Sequence, residues 1–348
     1  MICILYTIYN DWKTELKMDV YGIGKNRWTN NGANAVTMRS LGGVRLKNKE
    51  LHMGKTVQDL LVDVNRKFDA KELAALAARF RMEMFDILHQ RGTGHWGGAA
   101  SAAELTTSLY FNRLNIDPSN PRWDDRDRFI LSKGHASVNL YTVLAHRGFF
   151  PVEDLPTFRT LGSHLQGHPA MNKTPGVDMS TGALGHGISI GLGMALAARL
   201  SGKDYWTYVL TGEGCLNEGQ SWEALMCAAK YRPHGLVLMI DYNKVQLDGT
   251  EDQIMPLEPL RDKLVSFGWH VCPKQLCGND TADILKSFDW MDEDDVWPKA
   301  VVYDTTKGKG VSFTEGKNTW HGAVIDDKSF EAGIVELRED LAKKEAAL

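Results

Sequence analysis

The stretch from Tyr208 to Gly249 decides the fold, and it reads YVLTGEGCLNEGQSWEALMCAAKYRPHGLVLMIDYNKVQLDG. A short apolar run ends at the glycine turn Gly212-Glu213-Gly214, and a segment with apolar residues at helical spacing follows. Leu236 to Ile240 is then a continuous apolar run, as expected of a parallel strand that is buried on both faces. The order strand, turn, helix, strand predicts a βαβ unit.

Polar groups follow both predicted strands of this unit. Glu213 offers a carboxylate after the first strand, Asn243 an amide carbonyl after the second, and Val245 a backbone carbonyl nearby. In open α/β sheets, ligands bind at the carboxyl ends of the strands. Such oxygens suit Mg²⁺, which takes its remaining ligands from phosphates and water. A βαβ unit with a tight glycine turn and no cofactor has the same pattern, so both interpretations stay open at this point.

Composition narrows the class of protein. The chain has 348 residues, a formal net charge of -4 and 43% hydrophobic residues, which predicts a soluble globular protein of one large or two ordinary domains. No apolar run reaches the ~18 residues of a membrane span, and the charge gives no reason to expect a nucleic-acid partner. The cysteines are scattered without a C-x-x-C pair, which indicates reduced thiols and a cytoplasmic location. They are Cys3, Cys215, Cys227, Cys272 and Cys277.

Residues 1–52 differ from the rest of the chain. They show little periodicity and carry segments rich in Asn, Gly and basic residues, with Met18, Met38 and Met53 as possible internal starts. We expect the native domain to begin near Met53, with the upstream part disordered or a non-native extension. Intact-mass measurement of the natural protein tests this expectation.

Strand and helix patterns alternate through the remainder. A helix is predicted from Asp69 to the glycine-rich break at 92–98, and a second helix over 99–111. Further strands are predicted at 129–131, 269–271 and 300–303, and further helices at 257–267, 281–287 and 328–344. This alternation predicts an α/β fold with one open, mostly parallel sheet and helices on both faces.

Six short motifs occur in the order seen in transketolases. They are Gly94-His95, Ser132-Lys133-Gly134-His135-Ala136, Gly167-His168-Pro169, Thr181-Gly182-Ala183-Leu184-Gly185, Gly212-Glu213-Gly214 through Asn243, and Trp320-His321-Gly322. The central motif resembles the thiamine diphosphate motif, a G-D-G triplet followed after about 28 residues by Asn. The resemblance covers residues 69–344 and only the amino-terminal, diphosphate-binding part of that family. The chain is thus similar to the amino-terminal subunit of a split transketolase, with 53–348 as its thiamine diphosphate-binding domain.

The resemblance implies a role for each matching residue. Thiamine diphosphate would be contacted by His135, Gly182, Ala183, Leu184, Gly214, Asn243 and His321. Mg²⁺ would be held by Glu213, Asn243 and the Val245 carbonyl. His95, His168 and His321 would line the substrate channel, and Glu218 would link two active sites across a dimer interface. Two departures are Glu213 where the family has Asp, and Ala183 where many members have Pro.

The resemblance also implies an activity and a partner. The family moves a two-carbon ketol unit from a ketose, commonly a sugar phosphate, to an aldose. A carboxylate needed for cofactor activation belongs to the half that is absent here, so we expect a carboxyl-terminal partner chain and an α2β2 assembly. Two alternatives remain: the α subunit of a thiamine-dependent 2-oxo acid dehydrogenase, and a non-catalytic subunit that binds cofactor, or only a partner, and regulates. A deoxyxylulose phosphate synthase fits less well, because that family is usually one chain.

Overall fold

The computed structural model describes residues 55–348. The predicted boundary near Met53 and the expectation for residues 1–52 lie outside this range. Within it, none of the helices combines the length and apolar character that crossing a membrane requires. The four cysteines of this range form no disulfide; Cys215 and Cys272 are buried, and Cys227 and Cys277 are exposed.

The core element is a parallel sheet of six strands. Their bounds are β1 Arg128–Leu131, β2 Thr207–Gly212, β3 Leu236–Tyr242, β4 His270–Val271, β5 Leu276–Cys277 and β6 Lys299–Asp304. The order across the sheet is β1-β2-β3-β6-β4, and β5 pairs with the carboxyl end of β6 on the same side as β4. All registered pairs are parallel, so the carboxyl ends of the four long strands meet at one edge.

Alternate residues of the central strands enter two separate apolar cores. Tyr208 and Leu210 belong to one core, whereas Val209, between them, belongs to the other. Strand β3 divides in the same way, with Val237 and Met239 on one side. Because a strand places successive side chains on opposite faces, a strand covered on both faces is apolar at every position. This explains the continuous apolar run in the sequence.

Eleven α-helices of the described range surround the sheet. They are α1 Val57–Leu60, α2 Ala70–Arg91, α3 Trp96–Ser101, α4 Ala103–Ser108, α5 Ser137–Arg147, α6 His186–Leu200, α7 Gly219–Tyr231, α8 Glu251–Ile254, α9 Leu260–Ser266, α10 Thr281–Asp292 and α11 Asp327–Glu345. Residues of α2, α4, α5, α10 and α11 form one core with the sheet, and residues of α6, α7 and α9 form the other. The predicted helices on both faces are therefore confirmed.

Helix α2 shows why the first helix is readable from the sequence. The Asp69 carboxylate accepts hydrogen bonds from the backbone N–H groups of Lys71 and Glu72, so it satisfies two donors that the first turn leaves free. The helix ends at Gly92, whose φ of 59° is in the left-handed region that glycine adopts without strain. The chain then turns toward the sheet edge at His95.

Several predicted boundaries are wrong. The helix predicted over 99–111 begins at Trp96, is interrupted at Ala102 and ends in a π-helical turn, Leu109–Arg113. The helix predicted from 257 begins only at Leu260, after Pro259 at its N-cap. Strand β5 and helix α8 escape prediction, because two and four residues carry too little periodicity to be detected.

Candidate active site

A cleft of about 190 Å³ lies at the carboxyl edge of the sheet. Its lining comes from the segments that follow β1, β2, β3 and β6, together with the first turn of α3 and the loop at His321. The lining residues are Gly98, Lys133, His135, Leu184, Gly212, Glu213, Gly214, Cys215, Asn243, Val245, Gln246, Leu247, Lys307 and His321. The structure therefore brings residues from four strand ends into one cleft, as the parallel topology requires.

Lys133, which follows β1, is a buried cation with a buried counter-charge. Its ammonium pairs with the carboxylate of Asp241, a residue of β3 that is completely buried. The Ser101 hydroxyl donates to the same carboxylate at 2.6 Å, and the Thr305 hydroxyl donates to its other oxygen. Every partner is a side chain, so the network joins four elements beneath the cleft.

Lys307, which follows β6, is equally buried but bonded differently. Its Nζ donates to the backbone carbonyls of Val245 at 2.8 Å and Gln246 at 3.2 Å, and to His321 Nδ1 at 2.8 Å. Within residues 55–348 no carboxylate lies within 4.0 Å of this ammonium. Burial lowers its pKa to about 8, although the charge of Glu213 acts in the opposite direction. The cleft thus holds a cation whose contacts are neutral acceptors.

The predicted metal ligands lie together in the cleft, next to Lys307. The Asn243 backbone N–H faces Glu213 Oε2 at 3.4 Å, and the Val245 N–H donates to Asn243 Oδ1 at 3.2 Å. Burial raises the pKa of Glu213 to about 7, and the charge of Asp241 adds to the increase. The Val245 carbonyl accepts from Lys307, so Mg²⁺ would compete with the ammonium for this oxygen.

Four histidines from distant parts of the chain form a cluster, and two of them, His135 and His321, line the cleft. The ring centroid of His95 lies 5.3 Å from that of His135, 5.5 Å from that of His321 and 6.4 Å from that of His168. His135 and His321 stack at 4.9 Å. The three predicted channel histidines and the predicted cofactor ligand His135 are therefore neighbours.

The surroundings keep these imidazoles uncharged. Burial lowers the pKa of His321 to about 3, with Lys307 as the next cause, and lowers that of His95 to about 4, with Arg159 next. The pKa of His135 is also depressed, first by burial and then by Lys133, and that of His168 by burial and Arg159. Neutral imidazoles can both accept and donate hydrogen bonds at neutral pH.

The glycines at the start of α3 keep the cleft accessible. A Cβ at Gly98 would lie 3.1 Å from His135 Nε2 and 3.5 Å from Lys133 Nζ, and a Cβ at Gly97 would lie 2.9 Å from Lys307 Cε. A side chain at Gly98 would push against the His135 imidazole, and one at Gly97 would displace Lys307. Together with the buried ammonium of Lys307, this donor set fits an anionic group such as a diphosphate.

The remaining predicted residues lie around this centre. Leu184 and Gly214 line the cleft, whereas Gly182 lies against His168, where a Cβ would meet His168 Cδ2 at 3.0 Å. Ala183 is exposed between them. Glu218 is exposed beside Gly185, outside the cleft lining.

Sequence reasoning misses three residues of the cleft and its base. Lys133 lies in a motif whose predicted role rests on its histidine, and Asp241 is indistinguishable in sequence from a residue of the polar turn after β3. Lys307 lies in a glycine-rich turn after a predicted strand. Glu213 is predicted from the same kind of turn, so this pattern could also have found Lys307. The described residues contain no cluster of three or more His, Cys, Asp and Glu side chains that could hold a metal, so any Mg²⁺ here would rely on Glu213 and neutral oxygens.

The strand order and the ligand edge define the class of protein as a cofactor-binding α/β fold of the open parallel type. Residues 73–344 match the family described as "Transketolase, thiamine diphosphate binding domain", and the chain belongs to this family. That match covers most of the chain, so it confirms the resemblance over residues 69–344 almost to the residue.

Two relatives are matched over nearly their whole length. A subunit of the apulose-4-phosphate transketolase from Phocaeicola vulgatus is 40% identical over 265 residues, which cover 76% of this chain and 93% of that protein. A 6-deoxy-6-sulfo-D-fructose transketolase subunit from Clostridium sp. is 42% identical over 249 residues, which cover 72% and 90%.

Solved transketolases have the same fold but are longer. The transketolase of Campylobacter jejuni superposes with a TM-score of 0.72 at 27% identity. The superposed part covers 79% of this chain but only 46% of the Campylobacter jejuni chain. A Pichia stipitis transketolase in complex with sedoheptulose 7-phosphate superposes with a TM-score of 0.70 at 29% identity. The predicted fold class, family and thiamine diphosphate-dependent transketolase function are confirmed, and the family match favours them over a 2-oxo acid dehydrogenase subunit.

Proposed function

We propose that this chain is the diphosphate-binding half of a two-chain transketolase that uses thiamine diphosphate with Mg²⁺. The observation that carries the proposal is the buried ammonium of Lys307, which has neutral acceptors and no carboxylate among the described residues. A buried charge without a counter-charge is costly, and a bound diphosphate would compensate it.

Different residues of the cleft would bind different parts of the cofactor. Lys307 and His135 would donate to diphosphate oxygens, and Gly214 would let the backbone approach them. Glu213, Asn243 and the Val245 carbonyl would hold Mg²⁺ against the same group, with water completing the shell. When bound, thiamine diphosphate supplies a nucleophilic carbon and an electron sink for cleaving the bond next to a ketone.

The histidine cluster would handle the sugar. His95, His168 and His321 lie in this cluster in neutral form, so they can hydrogen-bond sugar hydroxyls and the ketone oxygen. A neutral imidazole can also take or give a proton as the carbon–carbon bond is broken and remade. The names of the two relatives carry a phosphate and a sulfo group. We therefore propose a ketose with such an anionic group, commonly a sugar phosphate, as the donor class.

The exposed surface around α6 is an argument for a partner chain. This helix carries one arginine and no acidic residue in fifteen positions, and its last residue, Leu200, is 85% exposed. Met226 and Tyr231 of the adjacent α7 are also exposed. An apolar patch of this kind marks an interaction surface. We propose that it binds a carboxyl-terminal transketolase subunit in an α2β2 assembly, with Glu218 close to the contact. The exposed thiols of Cys227 and Cys277 support a cytoplasmic location.

Calorimetric titration of thiamine diphosphate into the complex with its partner tests the site. We expect binding that requires Mg²⁺, is lost with a chelator, and is weakened at least tenfold by Glu213→Gln, which removes the only carboxylate of the metal set. Glu223→Gln, on the exposed side of α7, is the matched control. Equal binding with and without chelator would exclude the metal, and no binding at all would favour a regulatory subunit.

Introducing a charge on α6 tests the partner surface separately. Leu200→Glu should prevent co-purification of the partner chain, because it buries a carboxylate in an apolar contact. Val62→Glu provides the control, since Val62 is 83% exposed and lies next to α1, away from α6 in sequence and core. Equal recovery of the partner with both variants would contradict this choice of surface.

A further inference from the structure

Arg159 lies beside the histidine cluster on a loop that neither the motifs nor the proposed cofactor site includes. It follows the 3₁₀ turn Val152–Thr157 and has a φ of 58°, in the left-handed region that side chains other than glycine seldom adopt. Residues held in such a conformation concentrate at functional sites.

The guanidinium makes two contacts at the outer side of the cluster. Its Nη1 donates to the Thr93 hydroxyl at 2.7 Å, and its Nη2 donates to His95 Nδ1 at 3.4 Å. No carboxylate of residues 55–348 lies within 4.0 Å of it. The charge therefore acts on the imidazole rather than on an acidic partner.

Gly167 creates the space that the guanidinium occupies. A Cβ at this position would lie 2.8 Å from Arg159 Nε and 3.0 Å from its Nη2, closer than real Cβ contacts. Gly167 has no positive φ, so its backbone would tolerate a side chain. The glycine of the Gly167-His168-Pro169 motif is thus required for the position of Arg159 and not for the shape of the turn.

The contact between Arg159 and His95 fixes the tautomer of the imidazole. A guanidinium has only donors, so Nδ1 of His95 must be the acceptor nitrogen, and in the neutral ring the proton then resides on Nε2. On the other side of the ring, Nε2 lies toward Gly322, where a Cβ would be 3.5 Å away, and its neighbours are His135 and His321. The N–H group therefore lies on the side of the ring away from Arg159, toward Gly322, the neighbour of His321.

The other charged or ionisable groups near His95 also disfavour its protonated form. The groups that face it are Arg159, His168, His135, His321 and Lys307, and none is acidic. Burial is the main reason that the pKa of His95 lies near 4, and Arg159 is the largest charge effect. Protonation at Nδ1 would also place an N–H group against a guanidinium N–H group.

We propose that Arg159 is a positioning residue that holds His95 as a hydrogen-bond donor through Nε2–H, directed at an oxygen of the sugar. The proposal rests on the proposed transketolase function only for the identity of that oxygen. His95 would then orient and polarise the substrate, and the removal of a substrate proton would fall to another group of the cluster.

Nitrogen NMR of ¹⁵N-histidine-labelled full-length chain tests the tautomer without requiring activity. We expect His95 to show an unprotonated Nδ1 and a protonated Nε2, with no titration at pH 5 and above. Arg159→Met removes the charge and the hydrogen-bond donor but keeps an unbranched side chain at the same left-handed backbone position. It should therefore give a mixture of His95 tautomers and move the pKa of His95 toward the ordinary value near 6.5. Arg159→Lys should retain the low titration, and Thr160→Ala, an exposed neighbour, should match the wild type. A wild-type His95 protonated at Nδ1, or one unchanged in Arg159→Met, would overturn the proposal.

Gly167→Ala is an independent route to the same displacement. Because its added methyl group would occupy the place of the guanidinium, we expect the His95 signals to change as in Arg159→Met while the Arg159 side chain is still present. Unchanged His95 signals in a folded Gly167→Ala chain would contradict the proposed geometry.

Steady-state kinetics of the reconstituted two-chain enzyme provides the last readout. Loss of an outer partner of an active-site imidazole lowers activity by about 10- to 100-fold, and we expect this loss mainly in kcat for Arg159→Met. A variant that instead raises KM only for substrates with an anionic group, at unchanged kcat, would show that Arg159 binds that group and would overturn the positioning role. If the reconstituted enzyme has no transketolase activity, the proposed function fails, while the NMR result still decides the role of Arg159.

Discussion

Lys133 and Lys307 lie at the same edge of the same sheet, and each is only 2% exposed, yet their surroundings differ. Lys133 is paired with the buried carboxylate of Asp241, and hydroxyl groups complete the network. Lys307 is held by two backbone carbonyls and one imidazole, all neutral. One ammonium is paired with a charged side chain, whereas the direct contacts of the other are dipoles and the charge of Glu213 acts on it from a greater distance.

The difference indicates which lysine stabilises the fold and which is available to bind a ligand. A compensated buried pair links the elements beneath the cleft, and it costs stability when one partner is removed. An ammonium held by dipoles retains most of its electrostatic attraction for an anion that enters from the cleft. Burial alone therefore does not single out a cation for ligand binding, and the absence of a nearby carboxylate is the ground on which we propose Lys307 for that role.

Breaking the compensated pair should have the largest effect. Asp241→Asn leaves the Lys133 ammonium buried beside a neutral amide, and we expect the free energy of unfolding to fall by about 3–5 kcal/mol in chemical denaturation. The double variant Lys133→Met, Asp241→Asn should be more stable than Asp241→Asn, because the uncompensated charge is gone. A loss below about 1 kcal/mol, the size typical of a surface pair, would contradict the role of this pair.

Replacing the other ammonium should affect cofactor binding rather than folding. Lys307→Met removes a charge-assisted contact worth about 1.5–3 kcal/mol, so we expect thiamine diphosphate to bind about 10- to 100-fold more weakly in calorimetry. The free energy of unfolding of the chain should stay the same or rise. Lys309→Met is the control, since Lys309 is partly exposed and pairs with Glu315. Loss of stability without loss of affinity would reverse the assignment of the two lysines.

The smallest expected effect is on the pH dependence of the free energy of unfolding, to which the surroundings of Lys307 contribute through His321. The folded pKa of His321, beside Lys307, is about 3, whereas an unfolded histidine titrates near 6.5. Between these values the unfolded chain binds a proton that the folded chain does not, so the free energy of unfolding falls as the pH falls. His321→Gln should remove part of this dependence, by less than about 1.4 kcal/mol per pH unit because the side chain is partly hydrated.

Denaturation at pH 7 and at mildly acidic pH provides this measurement. His186→Gln, which removes an exposed imidazole from the start of α6, is the matched control. An equal pH dependence in His321→Gln and the wild type would show that His321 is not the group responsible.

The parallel sheet can be predicted from the sequence because burial on both faces produces continuous apolar runs, as in β3. The strand ends then place Glu213, His135 and Asn243 at one edge. The cations are harder to find, because a lysine in a polar turn looks the same whether it faces water or a cleft. Only the structure shows that Lys307 points at carbonyls from another turn, 62 residues away in sequence.

Arg159 cannot be found from local pattern at all. It lies in a loop without periodicity, and its importance depends on contacts with Thr93 and His95, 66 and 64 residues away. Gly167 belongs to a visible motif, but the reason for the glycine is the side chain of Arg159 and not a turn. Such a dependence among four residues of different loops is a property of packing and leaves no mark at any one position.

The exposed apolar surface of α6 also has a consequence for how the protein must be produced. A chain produced in excess over the proposed partner subunit would present the exposed Leu200 to other copies of itself, and exposed apolar surface promotes aggregation. We therefore expect that expression of the two chains has to be balanced, and that yields of soluble recombinant protein depend more on the ratio of the two messages than on temperature or host.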